Sequence, residues 1–374
     1  PLPQKWREAG VALSYAELPG FKDMMVEVHE SDVAHETLQA IRDWLTVRHP
    51  VASDRAQAEG VAAVASRLTA DFDGVRETPL LFGGEHRLFG ILSEPATTLS
   101  SRASRAEYAI LMLNVGTNHR VGPNRLYVKM ARRWASQGYR AFRFDLAGIG
   151  DSGSAAGFSA LHVFDKASVS DVQRAMDALA ARGCKRFIVI GLCSGAYVAF
   201  QTVLADPRVV GQVLMNPRRL VGQEDETLQD AMSQNFKSTQ FYTKRLLDPA
   251  TYLRLLKGDI DVRGIAGRMR TLATLRAQGV VDRLLRRPPA EDTMLAHLRR
   301  ACGRGVDALF LVSDQDDGVD YLELQLGPKA RSMAAYSNFS MQLIEGGDHT
   351  FSRVETQEHV IATVLEHLNV LTGQ

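Results

Sequence analysis

"IVIGLCSGAY", Ile188–Tyr197, decides how this chain is read. An apolar segment fit for a buried strand runs into a Gly-containing turn and then into residues that continue as a helix. Small residues stand two places before and two places after Cys193, at Gly191 and Gly195. A strand–turn–helix elbow that presents a nucleophile needs that spacing, because its backbone is strained and passes close to its neighbours. Taking Ser194 as the nucleophile instead would put Leu192 and Ala196 at the flanking positions, and Leu192 is too large. Sterics therefore select Cys193. Ser194 is expected to supply a backbone N–H to an oxyanion hole.

A nucleophile on such an elbow expects an acid and then a His later in the chain. "LFLVSDQDDGVDYL" places Asp314, Asp316, Asp317 and Asp320 at the end of an apolar strand. With Ser313 closing that strand, Asp316 is the favoured acid, and Asp314 and Asp317 stay open as alternatives. "IEGGDHTF" supplies His349 after a Gly pair and a further strand. His349 would take the Cys193 proton or rest with it as an ion pair, and the acid would orient the imidazole. A thiolate at a helix N-terminus beside a His is stabilised. The second oxyanion donor is expected in the loop after "ILMLNVGTNHR", at Thr117 first and Gly116 next. His119 and Arg120 in the same loop, and Tyr242 further on, are candidate substrate contacts.

Around these motifs, strands and helices alternate from about residue 79. "TPLLFGG" and "HRLFGILSEP" read as a hairpin; "YAILMLNVG", "YRAFRFDL", "KRFIVIG", "VVGQVLMNP", "VDALFLVSD" and "FSMQLIEGG" read as strands separated by amphipathic helices. That alternation predicts a mainly parallel sheet covered on both faces. It stops over residues 217–304, where the periodicity is helical throughout, and an insertion there is expected to form a lid. Residues 79–216 and 305–374 would be the core. Residues 241–300 carry thirteen Lys/Arg against six Asp/Glu, which reads either as a solvated helix face or as a docking surface for an acidic partner or a phosphate-bearing arm. Residues 1–78 read as a helical and linker extension. Part of it, "YAELPGFKDMMVEVHESDVAHETLQAIRDWL", repeats the strand, Gly turn and helix order of the chain's end without the His, as the tail of a preceding module would.

The chain has 374 residues, a net charge of +1, 45% hydrophobic and 23% charged residues. Nothing in that balance draws it to nucleic acid or to a membrane, and no run of about eighteen apolar residues or signal-peptide pattern is present. Cys184, Cys193 and Cys302 make neither a disulfide framework nor a metal-ligand spacing. A cytoplasmic setting with no metal is expected. The start lacks Met, as an excised domain would.

Taken together, "FDLAGIGDS", "GLCSGA", the Asp316 loop and "GGDHTF" resemble the α/β-hydrolase superfamily over about residues 79–374. "NVGTNHRVGPNRLYVKMARRWASQGYRAFRFDLAGIGDS" with "GLCSGA" is similar to the exosortase-associated hydrolases, which also carry Cys in this slot. The Cys elbow also resembles the minority of thioesterase domains of nonribosomal peptide and polyketide synthetases that use Cys. The elbow lacks their usual Gly pair, and residues 1–75 hold no carrier-protein motif. The resemblance implies an α/β-hydrolase fold and no cofactor of its own. It further implies an acyl or peptidyl group delivered on the phosphopantetheine arm of a carrier protein, to leave by cyclisation or hydrolysis. A stand-alone hydrolase of small esters or lactones, and a non-catalytic binding module, are the alternatives.

Overall fold

Near-continuous apolar strings such as "YAILML" and "FIVIGL" have no polar face to offer water, so their strands must be covered on both sides. The computed structural model describes residues 2–20, 33–49, 69–97, 105–153, 166–221, 291, 293–314, 316 and 318–373. The chain divides into two units, Pro1–Ser66 and Arg67–Gln374.

In the first unit, α1 (Leu2–Glu8) and α2 (His35–Arg48) are described. Thr37 Oγ1 donates to the Pro19 carbonyl at 2.8 Å, and the Arg48 guanidinium lies over the Trp44 ring. No residue of α2 is buried. The strand expected before Gly20 is not formed: residues 11–18 have no regular structure, and Pro19 offers no N–H to a ladder.

The second unit holds a nine-stranded sheet in the order β1-β2-β3-β5-β4-β6-β7-β8-β9. Its strands are β1 (Ala70–Phe72), β2 (Val75–Phe82), β3 (Leu88–Pro95), β4 (Tyr108–Leu113), β5 (Arg140–Phe144), β6 (Arg186–Leu192), β7 (Val209–Met215), β8 (Asp307–Ser313) and β9 (Phe339–Ile344). β1 to β3 and the β3–β5 pair are antiparallel; every pair from β5 through β4 to β9 is parallel. This is the mainly parallel sheet that the alternation predicts.

Strand residues alternate between two cores. Leu111, Phe142 and Val189 face α4 (Lys166–Ala180) and α5 (Ser194–Ala205), whose apolar side chains complete one cluster. Ile110, Met112 and Ile190 face α3 (Leu126–Ser136) and the closing helix, Val354–Leu371, on the other side. The closing helix buries Val360, Ile361, Val364 and Leu368, an apolar stripe at helical spacing. Burying each such side chain contributes roughly 1.5–3 kcal/mol.

Two expected boundaries shift. The core begins before residue 79, because β1 and β2 form a hairpin across Asp73 and Gly74, at φ 45° and 80°. Positive φ at both central residues is the twist-compatible two-residue turn that Asp-Gly favours. Of the insertion expected over 217–304, residues 222–290 and 292 lie outside the described residues. Its last helix, α6 (Met294–Gly303), belongs to the core: Met294, Leu298, Ala301 and Cys302 are buried in the cluster with α5. A parallel β7–β8 pair needs a crossover, and α6 leads the chain into β8. Among the described residues no helix is long and apolar enough to cross a membrane.

The antiparallel arm is tied to the parallel part by one carboxylate. Glu77 of β2 is buried, accepts from Ser93 Oγ at 3.0 Å, and pairs with Arg143 of β5 at 2.9 Å and Arg132 of α3 at 2.7 Å. Burial alone would raise its pKa, but the hydrogen bonds and charges of Arg132 and Arg143 lower it from 4.5 to about 2. A depressed carboxyl contributes stability that is complete above its unfolded value and lost as pH falls through the folded one. Glu77→Gln is expected to cost roughly 3 kcal/mol at neutral pH. It should also weaken the acid dependence between pH 4.5 and about 2. Urea titrations across pH measure both, and a loss under about 1 kcal/mol would contradict the assignment.

Candidate active site

The C-terminal ends of the parallel strands each release a loop on the same edge of the sheet, where ligands of such sheets bind. Every site residue that follows comes from one of these loops.

Cys193 closes β6 and precedes α5, at φ 57° and ψ −117°. Positive φ is costly for a residue with a side chain and is held here by its surroundings. The Cys193 N–H donates to the Met215 carbonyl at 3.0 Å, and its own carbonyl accepts from the Ala196 N–H at 3.1 Å. A Cβ on Gly191 would lie 2.0 Å from the Gly195 carbonyl oxygen, and one on Gly195 would lie 2.6 Å from the Asn114 carbonyl oxygen. Those are backbone atoms of the neighbouring strand end and helix, which cannot step aside. The result is a half-buried thiol at the first turn of a helix.

His349, from the loop after β9, stands close enough to Cys193 for the two groups to shift one another's titration. Its Nδ1 meets Asp316 Oδ2 at 2.5 Å. Asp316 is buried, and its other oxygen accepts from the Gly318 N–H at 2.7 Å. Of the other acids considered, Asp314 accepts from the Gly346 N–H at 3.0 Å, Asp320 lies in the helix Gly318–Leu326, and Asp317 lies outside the described residues.

Burial would push the Cys193 thiol up; the hydrogen bond and charge of His349, the charge of Arg218 and the Ser194 N–H outweigh it and hold the thiol below its ordinary value. Burial would likewise lower His349, but Asp316 and Cys193 raise it from 6.5 to about 9. Asp316 is held below the usual carboxylate range against its burial, by His349, Arg218 and Gly318. The other two thiols go the opposite way. Burial pushes Cys184 up, and burial with the nearby Asp307 pushes Cys302 up to about 11.

The loop after β4 is organised by a serine and a carboxylate. Ser194 Oγ accepts from the Gly116 N–H at 2.7 Å, so that donor is already engaged. Thr117 is exposed, and its N–H has no partner among the described residues. Buried Asp145 accepts from the Arg120 N–H at 2.6 Å and from Asn114 Nδ2 at 3.2 Å, which fastens both ends of the loop. The Arg120 guanidinium pairs with Asp145 and Asp151 and lies over the Phe89 ring. Arg120 is thus engaged in the fold and is not a free substrate contact as expected. His119 is exposed, and Tyr242 lies outside the described residues. On the closing helix His359 is exposed, and His367 meets Asp307 at 2.8 Å.

Two contributors escaped the sequence reading. Asn216, buried at φ 42°, donates to Ser313 Oγ at 3.0 Å and to the His349 carbonyl at 2.8 Å, and accepts from the Ser313 N–H at 2.7 Å. It stitches the ends of β7 and β8 to the His349 loop. Arg218 Nη2 stands 3.8 Å from Asp316 Oδ2. The only signal for either is the polar "NPRR" directly after an apolar strand. Their partners lie some hundred residues further along the chain. Among the described residues no three His, Cys, Asp or Glu side chains are placed to hold a metal ion.

A family model described as the alpha/beta hydrolase family matches residues 110–363. A search of curated proteins found no match. Among solved structures, the proline iminopeptidase of Mycobacterium smegmatis is similar at 14% identity and a TM-score of 0.47, over 79% of this chain and 99% of that one. An esterase of Pyrococcus furiosus is similar at 15% identity and 0.45, over 81% and 98%. A cold-adapted esterase from an Arctic intertidal metagenomic library is similar at 14% and 0.44, over 80% and 97%.

At neutral pH, iodoacetamide is expected to alkylate Cys193 on the order of 100-fold faster than Cys184 or Cys302. Peptide mapping measures the ratio, and equal rates would contradict the electrostatics. Gly191→Ala should remove that selectivity and destabilise the fold by more than about 3 kcal/mol, read by alkylation and urea unfolding. A stable, selectively reactive variant would show that the elbow can relax.

Proposed function

The chain belongs to the α/β hydrolase family, and from that premise we propose that it is a cysteine-dependent thioesterase or acyl transferase. At the level of the family its activity is that of a hydrolase. The finer reading is that an acyl or peptidyl group arrives as a thioester on the phosphopantetheine arm of a carrier protein and passes to Cys193. The observation that carries it is a strained elbow whose thiol is held below its ordinary pKa, chiefly by His349, which in turn meets Asp316.

The chemistry follows from the geometry. The Cys193 thiolate attacks the thioester carbonyl carbon, and a new C–S bond forms. The developing oxyanion faces the N–H groups of Ser194 and Thr117. Collapse breaks the bond to the pantetheine sulfur, which leaves with the proton of the His349 imidazolium. His349, now neutral, takes a proton from the incoming water or amine as that nucleophile attacks the acyl group. Cys193 departs as a thiolate and the ion pair is restored. Asp316 keeps the imidazole oriented throughout.

A thiol suits this substrate. Transfer from one thioester to another is nearly isoenergetic, so the acyl group stays activated, whereas a serine would trap it as a more stable oxoester. An acyl-Cys favours ring closure onto a nitrogen nucleophile or release by water. The basic excess of residues 241–300 suits an acidic carrier. A reducing, cytoplasmic setting goes with a nucleophile that must stay reduced.

Intact-protein mass spectrometry with an acyl-pantetheine mimic tests the reading. A mass increment of one acyl group is expected, absent in Cys193→Ala, with turnover falling by at least about 1,000-fold. Turnover unchanged in that variant would overturn it. Turnover of free simple esters with no preference for thioesters would favour a stand-alone hydrolase of esters or lactones.

A further inference from the structure

Cys193 and His349 lie on different loops, and one pair of adjacent residues is bonded to the backbone of both. The Met215 carbonyl accepts from the Cys193 N–H at 3.0 Å. The next residue, Asn216, donates from Nδ2 to the His349 carbonyl at 2.8 Å. The catalytic cycle itself uses neither contact.

Asn216 is fully buried, and its side chain is engaged at both ends. Oδ1 accepts from the Ser313 N–H at 2.7 Å, and Nδ2 also donates to Ser313 Oγ at 3.0 Å. Its backbone N–H donates to the Leu311 carbonyl at 2.9 Å. Ser313 Oγ in turn donates to the Asp348 carbonyl at 2.8 Å, so the two consecutive carbonyls of Asp348 and His349 are both held. On the other side of the loop Asp348 Oδ1 accepts from the Thr350 and Ser352 N–H groups at 3.1 and 2.9 Å. Gly347 is equally confined, since a Cβ there would lie 2.8 Å from Ser313 Oγ. The main chain at His349 is thereby fixed. Its side-chain torsions are left, and Asp316 sets those through Nδ1.

The conformation of Asn216 is unfavourable by itself. It stands at φ 42° directly before Pro217, where a residue is normally driven to extended backbone. Asn tolerates positive φ better than most residues, and its carboxamide carries a donor and an acceptor on one short side chain. A sparsely populated conformation held by this many bonds is a pointer to function.

We infer that Asn216 is a positioning residue for the Cys193–His349 pair: tied to the elbow through Met215, it sets with its carboxamide where the His349 backbone stands, and so how near the imidazole comes to the sulfur. The inference rests on the reading of Cys193 as the nucleophile. The titratable and charged groups around the pair are Asp316, Arg218 and, from α3, Tyr127, with Asp348 adjoining His349. Replacing Asn216 by a neutral residue changes none of these charges, so a moved midpoint reports geometry.

The test is the pH dependence of Cys193 alkylation by iodoacetamide in the wild-type chain, Asn216→Gly and Asn216→Ala, read by peptide mapping with Cys184 and Cys302 as internal references. Gly accepts the positive φ and loses only the carboxamide. Both variants are expected to move the Cys193 midpoint up by about one pH unit, the effect of letting one opposite charge retreat by about 2 Å at an effective dielectric near 20. Below the midpoint that is about tenfold slower alkylation, with the two reference thiols unchanged. An unchanged midpoint in either folded variant overturns the inference, even if its melting temperature falls, since a tie between strand ends would do that alone. A wild-type midpoint at the ordinary thiol value would instead sink the nucleophile reading itself, so the two failures are distinguishable.

Discussion

Where β6 gives way to α5, two stretches of backbone approach so closely that neither Gly191 nor Gly195 can carry a side chain. That close approach fixes the site. It forces Cys193 into a positive-φ conformation, lifts its sulfur off the end of the sheet and sets it at the N-terminal turn of a helix. The strain is sustained because the strand and helix on either side are buried on a scale that far exceeds the cost of one unfavourable dihedral pair. The position of the Cys193 thiol is therefore a property of the core and not of a loop.

The remaining loops are irregular and need their own fastening. Buried polar side chains supply it, each at the end of a strand. Asp145 holds both ends of the loop that carries Thr117, and Ser194 holds its middle at Gly116. Asn216 joins β8 to the His349 loop, and the Asp316 turn closes on Gly318. Each of these groups is well bonded, as buried polar atoms must be. The hydroxyl beside the thiol is thus an architectural group.

Charge then separates the three cysteines. Cys184 and Cys302 sit where burial dominates, and their thiols are pushed up. Cys193 is also penalised by its surroundings, yet His349 and Arg218 reverse the balance. A low-dielectric setting magnifies both effects, so the outcome depends on which charges stand nearby.

Periodicity and local sterics made the strand order of events, the elbow and its glycines legible from the sequence, because each depends on residues within a few positions of one another. "IVIGLCSGAY" alone shows that Cys193, not Ser194, can occupy the turn. The Asp-Gly turn of the first hairpin is equally local, its signal being the Asp73-Gly74 pair itself. Other features were decided only by the tertiary structure. One is which carboxylate meets His349; another is that Arg120 is consumed by Asp145 while Arg218 stands at the site. A third is that Gly116 already donates to Ser194. Those outcomes join loops separated by tens to hundreds of residues. Local sequence sets the shape of each loop, but the packing of the sheet sets which loops meet.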